Sequence, residues 1–220
     1  MHLLCLTNFT TYKRGDYVNP GELDVRISVL DVAKIGDTYA WEQTASTWAK
    51  AEQLKSNNIF SQVGIGVKAV KFKIRERNTL TLHNAFRWQG KHCFLTDIVG
   101  VGRMYYEVTA ALIEPHICTV ERTGEPILNE LNRPVYNESK TISFPGCLTE
   151  KYIGHTQGEP MAITEIRLVV VTPKVIELSV GEIVTINNTP YTVIIPHTLD
   201  EYKNEYEIMA RSDVTSKEDI

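Results

Sequence analysis

Across residues 67–114 the chain alternates apolar and polar positions in short blocks, VKAVKFKIR, AFRW, KHCFLTDI and YYEVTAALI. A period of two, rich in β-branched and aromatic residues, marks strands that bury one face. The pattern predicts strands over 67–75, 85–88, 91–98 and 105–113, with turns at Gln89-Gly90 and Gly100-Val101-Gly102. Roughly a hundred residues later, positions 166–211 repeat the same order of events. Asn187-Asn188-Thr189-Pro190-Tyr191 takes the place of Gln89-Gly90-Lys91-His92, and a Tyr-rich strand over 202–208 takes that of Tyr105-Tyr106-Glu107-Val108. Identity between the two stretches is slight, so the repeat rests on pattern. The expected fold class is all-β: two small antiparallel β-barrel or β-sandwich domains in tandem. The expected divisions are an N-terminal arm over 1–22, a first domain over 23–115, a second over 116–211 and a flexible tail over 212–220.

The remaining stretches fill in around this frame. Residues 23–32 alternate and predict the first strand, followed by a polar loop over 31–37. The stretch YAWEQTASTWAK fits either one side of a helix or a strand, and a strand from Ala45 to Gln53 is favoured. Residues 54–66 form the longest irregular segment of the first half. A connection of that length in a small β-domain is commonly functional, and a short helix over a barrel mouth uses the same apolar residues. In the second half 117–122 predicts a strand and 123–140 a polar loop, in which Pro126 sits where one turn of helix could begin. Residues 142–148 predict a strand broken at Pro145-Gly146, 150–161 a loop, and 162–171 the most apolar strand of the chain.

At 220 residues, with 43% hydrophobic and 23% charged residues, the composition is that of an ordinary folded protein with room for two modest cores. No apolar run approaches the roughly 18–20 residues of a membrane helix, and the start lacks the basic leader of a signal peptide. Cys5, Cys93, Cys118 and Cys147 are far apart, without a CxxC, and read as free thiols. Charge is uneven. Residues 1–115 hold 14 Lys/Arg against 11 Asp/Glu, a balance of +3, whereas 116–220 hold 9 against 16, a balance of −7. Such asymmetry suits two different neighbours or head-to-tail contact between copies; drift in surface charge gives the same numbers.

Catalytic constellations are not legible. Gly64-Ile65-Gly66 and Gly100-Val101-Gly102 are lone GxG pairs without the following helix that a phosphate cradle needs. His92-Cys93, and His116 with Cys118, lack the second ligand pair of a zinc site. The expectation is therefore no enzyme, metal or cofactor. Lys71, Lys73, Arg75 and Arg77 alternate with Phe72 and Ile74, which places the four cations on one face of a strand. With Phe86, Trp88 and Phe94 nearby, an oligonucleotide-binding double β-barrel is one reading of that strand. A solvated basic face over an aromatic core is the other.

One series of residues carries a family resemblance. Arg26-Ile27-Ser28-Val29, Gly36, Trp41-Glu42, Thr47-Trp48-Ala49-Lys50-Ala51-Glu52, Phe72-Lys73-Ile74-Arg75 and Trp88-Gln89-Gly90-Lys91 follow one another in order over roughly residues 23–114. This series resembles the head–tail joining, or stopper (head-closure), proteins of tailed bacteriophages. His92-Cys93-Phe94-Leu95 and Glu76 depart from the family pattern. The second half is similar only in the order of its strands and in the Pro190-Tyr191-Thr192-Val193-Ile194 element. The resemblance implies a structural virion protein at the head–tail junction, assembled in the bacterial host cytoplasm. It implies a homo-oligomeric ring, with portal and adaptor proteins on the head side and a tail-terminator or tail-tube protein on the tail side. Packaged double-stranded DNA would lie in the channel, with no membrane partner. By position the channel loop would be 54–66, with Leu54, Asn57, Ile59, Phe60 and Val63 as its candidate residues. Lys71, Lys73, Arg75 and Arg77 would form a basic contact strand facing DNA or the adaptor. A tail-terminator or tail-tube protein is the remaining assembly reading.

Overall fold

The computed structural model describes residues 20–57, 67–124, 127–128, 131, 133–135, 139–153 and 165–211. Among them the chain is all-β, apart from a single 3-10 turn at Pro20–Glu22. The first half contributes β1 (Val25–Ile35), β2 (Thr38–Asn57), β3 (Val67–Arg75), β4 (Ala85–Trp88), β5 (Lys91–Val101) and β6 (Tyr105–Leu112). The second contributes β7 (His116–Thr123), β8 (Ile127–Leu128), β9 (Pro134–Val135), β10 (Ser139–Ile153), β11 (Glu165–Pro173), β12 (Ile183–Ile186), β13 (Thr189–His197) and β14 (Lys203–Ala210).

Strand pairing closes each half on itself. β1-β2-β3 form one antiparallel meander and β4-β5-β6 a second, and the meanders join where β1 pairs with β4 and β3 with β6. In the second half β7-β10-β11 and β12-β13-β14 are the meanders, joined by β7 with β12 and β11 with β14. The order around the two circuits is the same once the β8–β9 hairpin is set aside as an insertion. Among the described residues every strand of a circuit has a neighbour on both sides over part of its length, which is the arrangement of a closed barrel.

The repeat also keeps its length. Val67 to Glu165 is a step of 98 residues, and the same step carries Ala85–Trp88 onto Ile183–Ile186 and Tyr105–Leu112 onto Lys203–Ala210. Each copy turns between its fourth and fifth strands on two left-handed residues, Gln89 (φ 50°) and Gly90 (φ 76°) in one, Asn187 (φ 49°) and Asn188 (φ 64°) in the other. Positive φ at both central residues is the type I′ geometry whose twist matches a hairpin. The register of each following strand then shifts by one residue, at Thr96 and at Ile194, again 98 apart.

Each circuit encloses its own core. Phe72 lies edge-on to Phe86 and Trp88, with ring centroids 5.5 and 5.8 Å away, among Ile27, Val70, Ile74, Leu95 and Val108. In the second half the Tyr206 hydroxyl donates to the Ile176 carbonyl (2.9 Å) and accepts from the Leu178 amide (3.0 Å). Those two bonds draw the connection 174–182 inward, where Ile176 and Leu178 join the core. In the first half the equivalent connection, 76–84, buries Leu80.

A third apolar cluster joins the halves. Phe94 and Ala111 pack with Cys147, Val169 and Val171, flanked by Trp41 and Ile113. Phe94 and Ala111 point outward from the first circuit, since their neighbours Cys93, Leu95 and Ala110 fill its core. Val169 and Val171 likewise flank the inward Val170. The outer β10–β11 face of the second half is therefore seated on the outer β5–β6 face of the first. A parallel bridge between Ser143 and Thr38 and a hydrogen bond from the Ser143 amide to the Asp37 carbonyl (3.0 Å) run beside it.

Several local expectations are corrected. The Tyr39–Lys50 stretch is strand, and β2 runs from Thr38 to Asn57 rather than from Ala45 to Gln53. Its twenty residues pair first with β1 and then with β3, and that change of partner accounts for its length. The polar loop expected over 31–37 is mostly β1, which reaches Ile35. No helical turn forms at 127–128; those residues pair with Pro134-Val135 as a short hairpin. β10 passes unbroken through Pro145-Gly146. It changes partner there, from β7 to β11.

Candidate functional site

The outer surface of β2, β3 and β6 holds the residues that the sequence singled out. Lys71, Lys73 and Arg75 alternate outward on β3 while Val70, Phe72 and Ile74 point into the core. Cross-strand register arranges them in rows. Lys73 lies between Lys50 on β2 and Glu107 on β6; Lys71 lies between Glu52 and Thr109. Next along β3, Arg75 pairs with Tyr105 on β6, and Trp48 follows the last β2–β3 pairing, of Ala49 with Ile74. Arg77 stands beyond the end of the strand, where its guanidinium donates to the Ser46 carbonyl (3.3 Å).

The face is charged but balanced. Lys71 is 2.9 Å from Glu107, and Lys50 is 2.8 Å from Glu22. The hydrogen bond and charge of Lys50 hold the Glu22 carboxyl below its ordinary range, and Glu22 in turn raises Lys50. Exposed pairs of this kind contribute little to stability. At one end Trp48 is 56% exposed, and with Leu23, Thr47 and Arg75 it lines a shallow cleft of about 380 Å³. Arginine beside exposed aromatic residues is the composition of interface anchors.

Of the channel-loop candidates, Leu54 and Asn57 belong to β2: Leu54 pairs with Ala69 and Asn57 with Val67. Ile59, Phe60 and Val63 lie outside the described residues, as do the arm over 1–19 and the tail over 212–220. The structure thus gathers Lys71, Lys73 and Arg75 on one face, sets Arg77 past its edge, and places Leu54 and Asn57 on the neighbouring strand.

The structure adds a second feature, a crevice of about 260 Å³ between the halves at Glu114-Pro115, lined by Tyr39, Trp41, Arg87, His92, His116 and Phe144 among others. His92 is 3% exposed, its ring centroid is 5.2 Å from that of Trp41, and its Nε2 has no hydrogen-bond partner. Burial, reinforced by the nearby Arg87 charge, pulls its pKa down to about 4, so the ring is neutral at pH 7. Among the described residues no group of three or more His, Cys, Asp or Glu side chains is placed to hold a metal ion. The sequence did carry a trace of this region: within KHCFLTDI, grouped above with the alternating blocks, Cys93-Phe94-Leu95 is an unbroken apolar run, and all of His92–Leu95 is buried. Comparison with protein-family models, with curated proteins and with solved structures returned no match for this chain.

Proposed function

We propose that this chain is a structural protein of the tailed-phage neck, a head–tail connector that forms a ring below the portal and adaptor, closes the DNA-filled head and offers the tail its attachment site. The observation that carries the reading is where the family-like residues fall. Arg26-Ile27 lies on β1, Trp48-Ala49 on β2 and Phe72-Lys73-Ile74-Arg75 on β3. Trp88-Gln89-Gly90-Lys91 forms the β4–β5 turn. Each of these motifs thus falls on a regular strand or a tight hairpin, in the order that the resemblance implies, and that order supports the reading. A closed barrel is also a stiff frame, suited to holding a connection such as 58–66 at a fixed place in a ring. The test is electron microscopy of particles assembled without this protein. DNA-filled heads that leak, or empty heads beside free tails, are expected; intact virions would overturn the reading. Deleting residues 59–65 is expected to release the genome from tailless heads while ring formation persists.

The exposed Trp48, which shares a cleft with Arg75, favours a second reading, binding of single-stranded nucleic acid, because bases stack on exposed aromatic rings while arginine tracks phosphate. Filter binding of a single-stranded oligonucleotide at low and high salt separates the two. Salt-sensitive retention that is lost in Trp48→Ala would favour nucleic-acid binding.

A further inference from the structure

The repeat makes the two halves comparable surface by surface, and it leaves one surface uncovered. Inside the chain, the outer β10–β11 face of the second half (Cys147, Val169, Val171) is seated on the outer β5–β6 face of the first (Phe94, Ala111). The step of 98 residues carries Ala85, Phe94 and Ala111 onto Ile183, Thr192 and Met209. Register confirms the correspondence: Ala85 pairs with Phe94 and Phe94 with Ala111, as Ile183 pairs with Thr192 and Thr192 with Met209. In the first half this row is buried, whereas in the second Ile183 is 39% and Met209 60% exposed. The receiving face is therefore present twice and filled once.

The seating face is also present twice. Pairing of Cys147 with Val171 in the second half corresponds to pairing of Lys50 with Lys73 in the first, and Val169 corresponds to Lys71. Where the second half buries Cys147, Val171 and Val169, the first half keeps three lysines at least partly exposed on the same sheet face, Lys50 paired with Glu22 and Lys71 with Glu107. Beside the open receiving row, β7 carries the exposed Glu121, one residue beyond the pairing of Val120 with Val184. The first half carries a charge balance of +3 and the second −7.

We propose that the Ile183–Thr192–Met209 face of the second half receives the Lys50–Lys71–Lys73 face of the first half of another copy of this chain, repeating between molecules the seating that joins the halves within one. Lysine stems lie over Ile183 and Met209 while their ammonium groups reach acidic neighbours such as Glu121. The contact inside the chain is apolar and buried; the contact between chains is polar, reversible and weakened by salt. It is heterologous, so each copy keeps one seating and one receiving face free, and successive copies build a ring or a filament according to whether the rotation closes. The inference stands on the repeat and on the charges of the two faces, and does not need the phage reading.

The test is sedimentation velocity of the full chain, with circular dichroism to show that each variant is folded. Wild type is expected to associate with concentration at about 0.05 M salt and to fall towards monomer at about 0.5 M, where screening is far shorter in range. Met209→Asp, which spoils only the receiving face, and Lys73→Glu, which spoils only the seating face, are each expected to remain monomeric. Mixed one to one they retain one intact pair of faces and are expected to stop at a dimer. A wild type that stays monomeric at low salt, a single variant that associates like wild type, or a mixture that gives no dimer would each overturn the proposal. Such a failure leaves the neck reading standing, because that reading is decided by the particles and not by self-association in solution.

Discussion

Gly146 shows how tightly one position can be set by its neighbours. A Cβ there would lie 2.7 Å from Cys118 Sγ and 2.8 Å from Val170 Cγ2, where the second core meets the change of pairing partner in β10. Gly146→Ala is expected to destabilise the protein by about 1–3 kcal/mol, read from urea unfolding. Adding Cys118→Ala should recover part of the loss by removing the closer atom. The thiols themselves are passive: burial pushes Cys93, Cys118 and Cys147 up to about 12. All three are therefore expected to resist a disulfide reagent in the native state and to react once denaturant opens the cores. Rapid native labelling of any of the three would contradict their place in the fold. At the surface Gln89 holds a left-handed conformation that asparagine, as at Asn187, adopts with less strain. Gln89→Asn is expected to add up to about 0.5–1 kcal/mol, seen as a raised urea midpoint with an unchanged slope.

At the level of elements, most strands were legible because one face is wet. VKAVKFKIR reads as a strand at sight: Val70, Phe72 and Ile74 enter the core and the cations stay out. The equivalent strand β11 does not alternate over Val169-Val170-Val171-Thr172, and neither does His92-Cys93-Phe94-Leu95 on β5; every residue of both runs is buried. Those two runs lie on opposite sides of the join between the halves, so their loss of period records the join itself. The sequence showed the repeat and the apolar strand, but not that one explains the other, since a buried run alone does not name its partner. The ends of β2 escaped for different reasons. At its C-terminal end Gln, Ser and Asn have weak strand preference, and pairing with β3, which holds that end, is decided at a distance. At its N-terminal end, paired with β1, the spacing of Trp41, Ala45, Trp48 and Ala49 fits a helix as well as a strand. The lysine strand and the valine strand are one element in two environments, so Val171→Lys would place a charge where the join is dry. That change is expected to cost about 3 kcal/mol or more, measured by urea unfolding. The matching change on the open face, Lys73→Val, should leave stability within about 0.5 kcal/mol.

For the whole molecule, the join makes stability depend on pH through His92. Its ordinary pKa of 6.5 falls to about 4 in the fold, chiefly because burial opposes the charged ring and secondarily because Arg87 repels it. The unfolded chain therefore binds a proton that the folded chain refuses between those two values. A folded pKa below the unfolded one means that the contribution is fully present above pH 6.5, is lost as pH falls towards 4, and changes no further below that. The size follows from the shift: about 2 kcal/mol lost at pH 5 and about 3 kcal/mol at the limit. No side chain accepts or donates at Nε2, so the imidazole adds little beyond its shape and its contact with Trp41. His92→Phe keeps a ring of similar size against Trp41 and removes both the titration and the unpartnered nitrogen. Urea midpoints at pH 7.5 and pH 5 for the two proteins decide the matter. Wild type is expected to lose stability between these pH values by about 2 kcal/mol more than His92→Phe does. Equal losses would mean that His92 is hydrated or paired in solution, and that the crevice between the halves opens to water there.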